Sequence, residues 1–134
     1  PHATLFEGVI ELLSQLRFAG MMIAIVTNKS RIALNRELKL VDIESLIDST
    51  WTADEHTPKP SPVMILSAVS AHLCDAEEAW MIGDSMADLY AASRAGCART
   101  VIVRNHLPVP KWVSNVTLVP SITALHQLIS EEIA

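Results

Sequence analysis

The sequence predicts an α/β fold of three layers: a parallel sheet with helices on both faces. Three observations carry this. Short continuous apolar runs have strand length, helical stretches with apolar residues at i, i+3, i+4 and i+7 lie between them, and polar breaks follow several of the runs directly. Strands buried on both faces alternate with amphipathic helices when helices cover both sides of a parallel sheet.

The elements follow in order. Val9, Leu12, Leu13 and Leu16 make one apolar helix face, and Gly20 closes that helix. Met22–Val26 is a buried strand. Ser30 caps a helix running to about Leu40. Ile47–Thr52 is a second, weaker strand. Asp54–Pro62 is a loop with three prolines. Pro62, Ile65, Leu66, Val69 and Leu73 form the next helical face. Ala79–Ile82 is a strand broken by Gly83-Asp84-Ser85, and Met86–Ala95 is a helix closed by Gly96. Thr100–Val103 is a β-branched strand, Asn105–Asn115 a loop and Val116–Val119 a last short strand. Ser121 caps a final helix with Ile122, Leu125, Ile129 and Ile133 inward.

Composition narrows the function. A chain of 134 residues suits one domain over 1–134. Half the residues are hydrophobic and only 4% aromatic, so the core is aliphatic. The net charge is −5 with no Lys/Arg run, which argues against a nucleic-acid partner. No apolar run reaches the roughly 18–20 residues of a membrane span. Cys74 and Cys97 form no C-x-x-C pair and are too few for a disulfide framework; they read as buried thiols in a reducing, cytoplasmic setting. The histidines at 2, 56, 72, 106 and 126 lack metal-ligand spacing and read as surface or loop residues. Trp51, Trp80 and Trp112 lack the clustering of a base-stacking platform. Trp80, beside a strand, is expected in the core.

In parallel sheets ligands sit at the carboxyl ends of the strands, and three of those places are polar. After the first strand comes Thr27-Asn28, a hydroxyl and backbone N–H groups leading into a helix, able to hold a phosphate; an ordinary capped turn is the plain alternative. Lys59, in Lys59-Pro60-Ser61-Pro62, is biased to an extended backbone by the proline after it. It stands just ahead of a helix as a point charge for an anion, or is simply a solvated loop lysine. Gly83-Asp84-Ser85-Met86-Ala87-Asp88 puts two carboxylates one helical turn apart. They suit Mg²⁺, which takes one or two carboxylates plus water and substrate phosphate; helix capping is the alternative.

Taken in order, these motifs resemble the haloacid dehalogenase-like (HAD) hydrolase superfamily, in its phosphoglycolate phosphatase-like branch. The resembling stretches are Gly20–Lys29, Lys59–Pro62, Met81–Asp88, and Ala95-Gly96-Cys97 with the strand after it. The resemblance implies a Rossmann-like core and a Mg²⁺-dependent phosphatase of small phosphorylated metabolites. It implies that Thr27 donates its hydroxyl, and Asn28 its backbone N–H, to the phosphate. Lys59 balances charge between nucleophile and phosphate, Asp84 ligates Mg²⁺, and Asp88 supports the metal site or Lys59.

The family's chemistry also needs an Asp-x-Asp motif on its first strand, the first Asp attacking phosphorus and the second acting as acid and base. The aspartates here are Asp42, Asp48, Asp54, Asp75, Asp84 and Asp88, and no two are separated by one residue. Pro1–Glu7 looks like re-entry into the core after the nucleophile strand and cap, so the first strand is expected to be absent from this chain. By resemblance that strand lies between the strands ending at Thr27 and Ile82. Its loss removes hydrogen bonds of about 0.5–1.5 kcal/mol each and exposes apolar area at about 25 cal/mol per Å². Three outcomes are expected: an N-terminal segment or second chain completes the sheet, the flanking strands close up and pair, or the chain is part of a longer parent. A non-catalytic structural or binding subunit is the alternative function. A flavodoxin-like or nucleotide-binding domain ranks last, since no G-x-G-x-x-G or P-loop pattern is present.

Overall fold

The computed structural model describes residues 2–133, with side chains from Gly8 to Ile133. The side chains of the expected re-entry stretch Pro1–Glu7, His2 included, lie outside the described residues. The chain runs α1 (His2–Phe18), β1 (Ala24–Thr27), α2 (Arg31–Val41), β2 (Ser49–Thr52), α3 (Val63–Ala71), β3 (Trp80–Gly83), α4 (Met86–Ala95), β4 (Arg99–Val103), β5 (Val116–Val119) and α5 (Ile122–Ile133). Local chemistry sets the boundaries. The Ser30 hydroxyl accepts the Ala33 N–H at the start of α2, and the Ser121 hydroxyl accepts the Ala124 N–H at the start of α5. Gly20 and Gly96 take φ of 86° and 82°, where an L side chain is strained.

Every strand pair is parallel, but the sheet comes in two parts. β1 pairs with β2, Thr27 opposite Thr52. β3 pairs with β4, and β4 with β5. Among the described residues no ladder joins β1 to β3. Direct closure of the flanking strands is therefore corrected: β1 and β3 each keep one unpaired edge, and the edges face a common cleft.

Side-chain packing across that cleft holds the halves together. On one face α1 reaches both parts: Leu13 joins Leu34, Leu38, Ile43 and Ile25, while Leu12 and Leu16 pack with Val101, Val119, Leu125 and Ile129. On the other face Ile65 of α3 and Ala91 and Ala92 of α4 pack with Val26 of β1 and Met81 of β3. Leu89, Ile102, Leu107 and Val113 seat the loop after β4 against α4. Val101 and Ile102 are fully buried, each contributing about 1.5–3 kcal/mol of apolar burial. The core is aliphatic, as composition requires.

Four expectations need correction. In α3 the buried residues are Met64, Ile65 and Ala68, while Leu66 is exposed and Leu73 is 95% exposed. Leu73 lies past the helix end at φ 58°, and a helix apolar all round gives no unique face. Trp80 is exposed rather than core, its ring covered by the Arg99 guanidinium at 4.8 Å. Cys74 and Cys97 are free and half-buried. His72 and His126 are half-buried and hydrogen-bonded, to the Ser49 hydroxyl at 2.7 Å and the Gln15 carboxamide at 2.6 Å; His72, at the end of α3, meets the start of β2, and His126 meets α1 across a helix–helix seam.

Candidate active site

The carboxyl ends of β1 and β3 bring the predicted residues together. β1 ends at Thr27. The Thr27 Oγ1 accepts the Lys29 N–H at 3.1 Å. A hydroxyl whose lone pair is engaged by a backbone donor keeps its own proton to offer to an anion. Asn28 follows, and its carboxamide turns away from the cleft toward the loop carrying Lys59.

Lys59 reaches back beneath this turn. Its ammonium donates to the Val26 carbonyl at 2.9 Å and to Oδ1 of Asp88. The side chains of Lys59 and Asp88 are 10% and 5% exposed, so the pair is nearly dry. An ammonium has three N–H donors. Two are spent on holding the lysine, and one remains for the cleft. The Lys59–Pro60 peptide is cis.

Asp88 is the hub. Its Oδ2 accepts the N–H of Asp84 at 3.0 Å, the N–H of Ser85 at 3.2 Å and the Ser85 hydroxyl at 3.0 Å. The Ser85 hydroxyl in turn accepts the Asp88 N–H at 3.3 Å, closing a capping box. The two carboxylates one turn apart therefore do different work. Asp88 is committed to Lys59 and the 84–85 turn. Asp84 is exposed, and its carboxylate makes no hydrogen bond among the described residues.

Gly83 makes this closeness possible. A Cβ there would lie 2.4 Å from Asp88 Oδ2 and 2.5 Å from its Cγ. The strand end can approach the carboxylate only because it has no side chain.

Burial pushes the Asp88 carboxyl up, but the Lys59 hydrogen bond and charge, with the Asp84 N–H and Ser85 hydroxyl, outweigh it and hold the group below its usual value. The unfolded chain then binds the proton more tightly than the folded one. The stabilisation is fully present above the unfolded value near 3.9 and is lost as pH falls through the lower folded value. Urea unfolding from pH 6 down to 2 is expected to show an acid loss of stability in the parent that is smaller in Asp88→Asn. Equal acid limbs in both proteins count against this role.

The cleft between β1 and β3 has a volume of about 370 Å³ and is lined by Thr27, Lys29, Lys59, Ile82, Asp84 and Asp88 among others. A larger hollow of about 470 Å³, bordered by Asn35, Lys39 and Asp48, holds none of the predicted residues. Chemistry rather than size marks the site. The structure also adds contributors that the sequence pattern does not signal: the Val26 carbonyl, the close approach of Gly83 to Asp88 and the Asn28 side chain. Ser85-x-x-Asp88 is a capping pattern visible in the sequence; the other contacts join residues distant along the chain.

Parallel strands ending in a hydroxyl, a buried lysine–aspartate pair and a free carboxylate at a glycine turn meet at one cleft of an α/β core. Residues 1–102 match the family model of the haloacid dehalogenase-like hydrolases, and the chain belongs to that family. It is similar to the pyrophosphatase PpaX of Bacillus velezensis, with 40% identity over 94 residues, 69% of this chain and 44% of that protein. It is similar as well to the phosphoglycolate phosphatase of Chromobacterium violaceum, with 32% identity over 130 residues, 95% of this chain and 57% of that one. A HAD-superfamily hydrolase from Ehrlichia chaffeensis superposes with a TM-score of 0.80 at 27% identity, covering 96% of this chain and 58% of its own. The chain spans about half the length of the curated relatives it matches.

Proposed function

We propose that this chain is the phosphate- and cation-handling part of a Mg²⁺-dependent phosphatase for small phosphates, working through an aspartyl-phosphate. The observation that carries the reading is the buried Lys59–Asp88 pair, set beside Thr27 and opening on the cleft between β1 and β3. Phosphoryl transfer is mostly positioning and charge neutralisation, and these residues supply both. The Thr27 hydroxyl and the Asn28 backbone N–H bind phosphate oxygens. The third Lys59 proton lies between phosphate and nucleophile.

Asp84 is the residue to hold Mg²⁺. Its exposed carboxylate suits a cation that keeps most of its waters and takes one or two carboxylates. Among the described residues no group of three or more His, Cys, Asp or Glu converges; a further carboxylate is assigned to the completing strand. When bound, the ion neutralises charge on the transferring phosphoryl group.

The attacking aspartate is assigned to a strand that enters the cleft and pairs with β1 and β3. The unpaired N–H and C=O groups along both edges are a template for such a strand. An upstream segment or a second chain supplies it. The names of the relatives, a pyrophosphatase and a phosphoglycolate phosphatase, favour a small phosphate bearing a second anionic group. The cytoplasm, where such metabolites reside, is the proposed setting.

The test is hydrolysis of an aryl phosphate by the 134-residue chain, and by the chain fused behind an Asp-x-Asp strand, with and without Mg²⁺. No turnover is expected from the chain alone. Metal-dependent turnover is expected after completion, falling about 10²–10³-fold in Asp84→Asn, as for the loss of one preorganised electrostatic group. Turnover by the unfused chain would place the nucleophile within these residues. A folded but silent fusion would favour a binding subunit.

A further inference from the structure

The Lys59 ammonium can serve two partners at once only if its backbone is held still, and two side chains from other elements grip that backbone. The Asn28 carboxamide takes both polar groups of a single residue: Nδ2 donates to the Lys59 carbonyl at 2.9 Å, and Oδ1 accepts the Lys59 N–H at 2.8 Å. This is the pairing of one rung of a β-ladder, made by a side chain. At the next residue Arg94 of α4 donates to the Pro60 carbonyl at 3.1 Å. The Arg94 guanidinium lies 5.3 Å from the centre of the Tyr90 ring, and Trp112 stacks on that ring at 5.7 Å. The arginine is thereby steadied by the loop after β4.

We propose that Asn28 and Arg94 are positioning residues that clamp the Lys59–Pro60 segment at its two residues and set the Lys59 ammonium between Asp88 and the cleft. The role given to Lys59 rests on the phosphatase reading; the clamp itself does not. The loop around Lys59 makes little regular structure, since β2 ends at Thr52 and α3 begins at Val63. Without the clamp, its only tether at residue 59 is the long, flexible lysine side chain. Asn28 thus has two separable parts: a backbone N–H, to which the phosphatase reading assigns the phosphate, and a carboxamide that holds Lys59. Arg94 is not among the residues that line the cleft and acts through the loop.

The first measurement is competitive acetylation of the 134-residue chain, read lysine by lysine by mass spectrometry. Lys29, Lys39 and Lys111 serve as internal standards. In the parent, Lys59 is expected to be the slowest of the four. Loss of two hydrogen bonds in Asn28→Ala is expected to raise Lys59 labelling about tenfold, and Arg94→Ala by about half that on a logarithmic scale, with the other three lysines unchanged. An unchanged Lys59 rate overturns the proposal. So does a uniform rise at all four lysines, which would signal general loosening of the fold. The second measurement is turnover by the completed enzyme. Asn28→Ala and Arg94→Ala should lower kcat with little change in KM, and neither should cost anything further in a Lys59→Ala background, because both act through that lysine. Multiplying losses overturn the positioning role. If the completed parent shows no turnover, the phosphatase reading fails, and the acetylation pattern alone decides the clamp.

Discussion

Asp88→Ala is expected to lower the unfolding free energy by about 3–5 kcal/mol, because removing one partner of a buried ion pair strands the other charge. Asp84→Ala, four residues away, is expected to stay within about 0.5 kcal/mol, as an exposed substitution free of structural partners. The contrast follows from the geometry. Asp88 is 4% exposed and takes four hydrogen bonds, from the Lys59 ammonium, the Asp84 and Ser85 N–H groups and the Ser85 hydroxyl. The Asp84 side chain takes none among the described residues. For a domain of roughly 5–15 kcal/mol total stability, the first change approaches unfolding. Urea denaturation of both variants decides it. Equal losses would mean that the carboxylates share the structural work.

Gly83→Ala is expected to cost about 1–3 kcal/mol by overpacking, although alanine fits strands in general at least as well as glycine. The added methyl meets the Asp88 carboxylate at 2.4 Å. That carboxylate is fixed by its donors and cannot swing aside. Either the end of β3 shifts or Asp88 gives up its grip on the 84–85 turn. Thermal unfolding should show a drop of several degrees, at roughly 3–5 °C per kcal/mol for a domain of this size. In an Asp88→Ser background, where the shorter side chain makes room, Gly83→Ala is expected to cost little beyond the loss already caused by Asp88→Ser, and that non-additivity would locate the clash. A stable single mutant would show that the strand end has slack.

Much of this was legible along the chain. The helix ends at Ser30, Gly96 and Ser121 are signalled by capping chemistry, which acts within four residues and so can be read locally. The helix Met86–Ala95 and the strand Val116–Val119 have the predicted bounds. Thr27, Lys59 and Asp84 were placed at strand ends or in the loop before a helix, and the fold gathers all three around one cleft. Where the pattern was not specific, the reading slipped. The sequence of α3 is apolar nearly all round, so periodicity could not say that Met64 and Ala68 turn inward while Leu66 turns out. Trp80 carries enough apolar surface for a core position, yet lies at the start of β3 opposite Arg99, whose guanidinium covers its ring.

The sequence by itself determined the parallel α/β architecture, the order of its elements, the family resemblance and the absence of an Asp-x-Asp pair, because each depends on residue type and short-range spacing. Only the tertiary structure decided which carboxylate serves the fold and which stands free. It also decided that the Asn28 side chain grips Lys59 across 31 positions of chain, and that β1 and β3 remain apart. Those outcomes depend on distances between segments remote in sequence. They are settled by burial and by the need of each buried polar group for a partner, neither of which can be read from neighbouring residues alone.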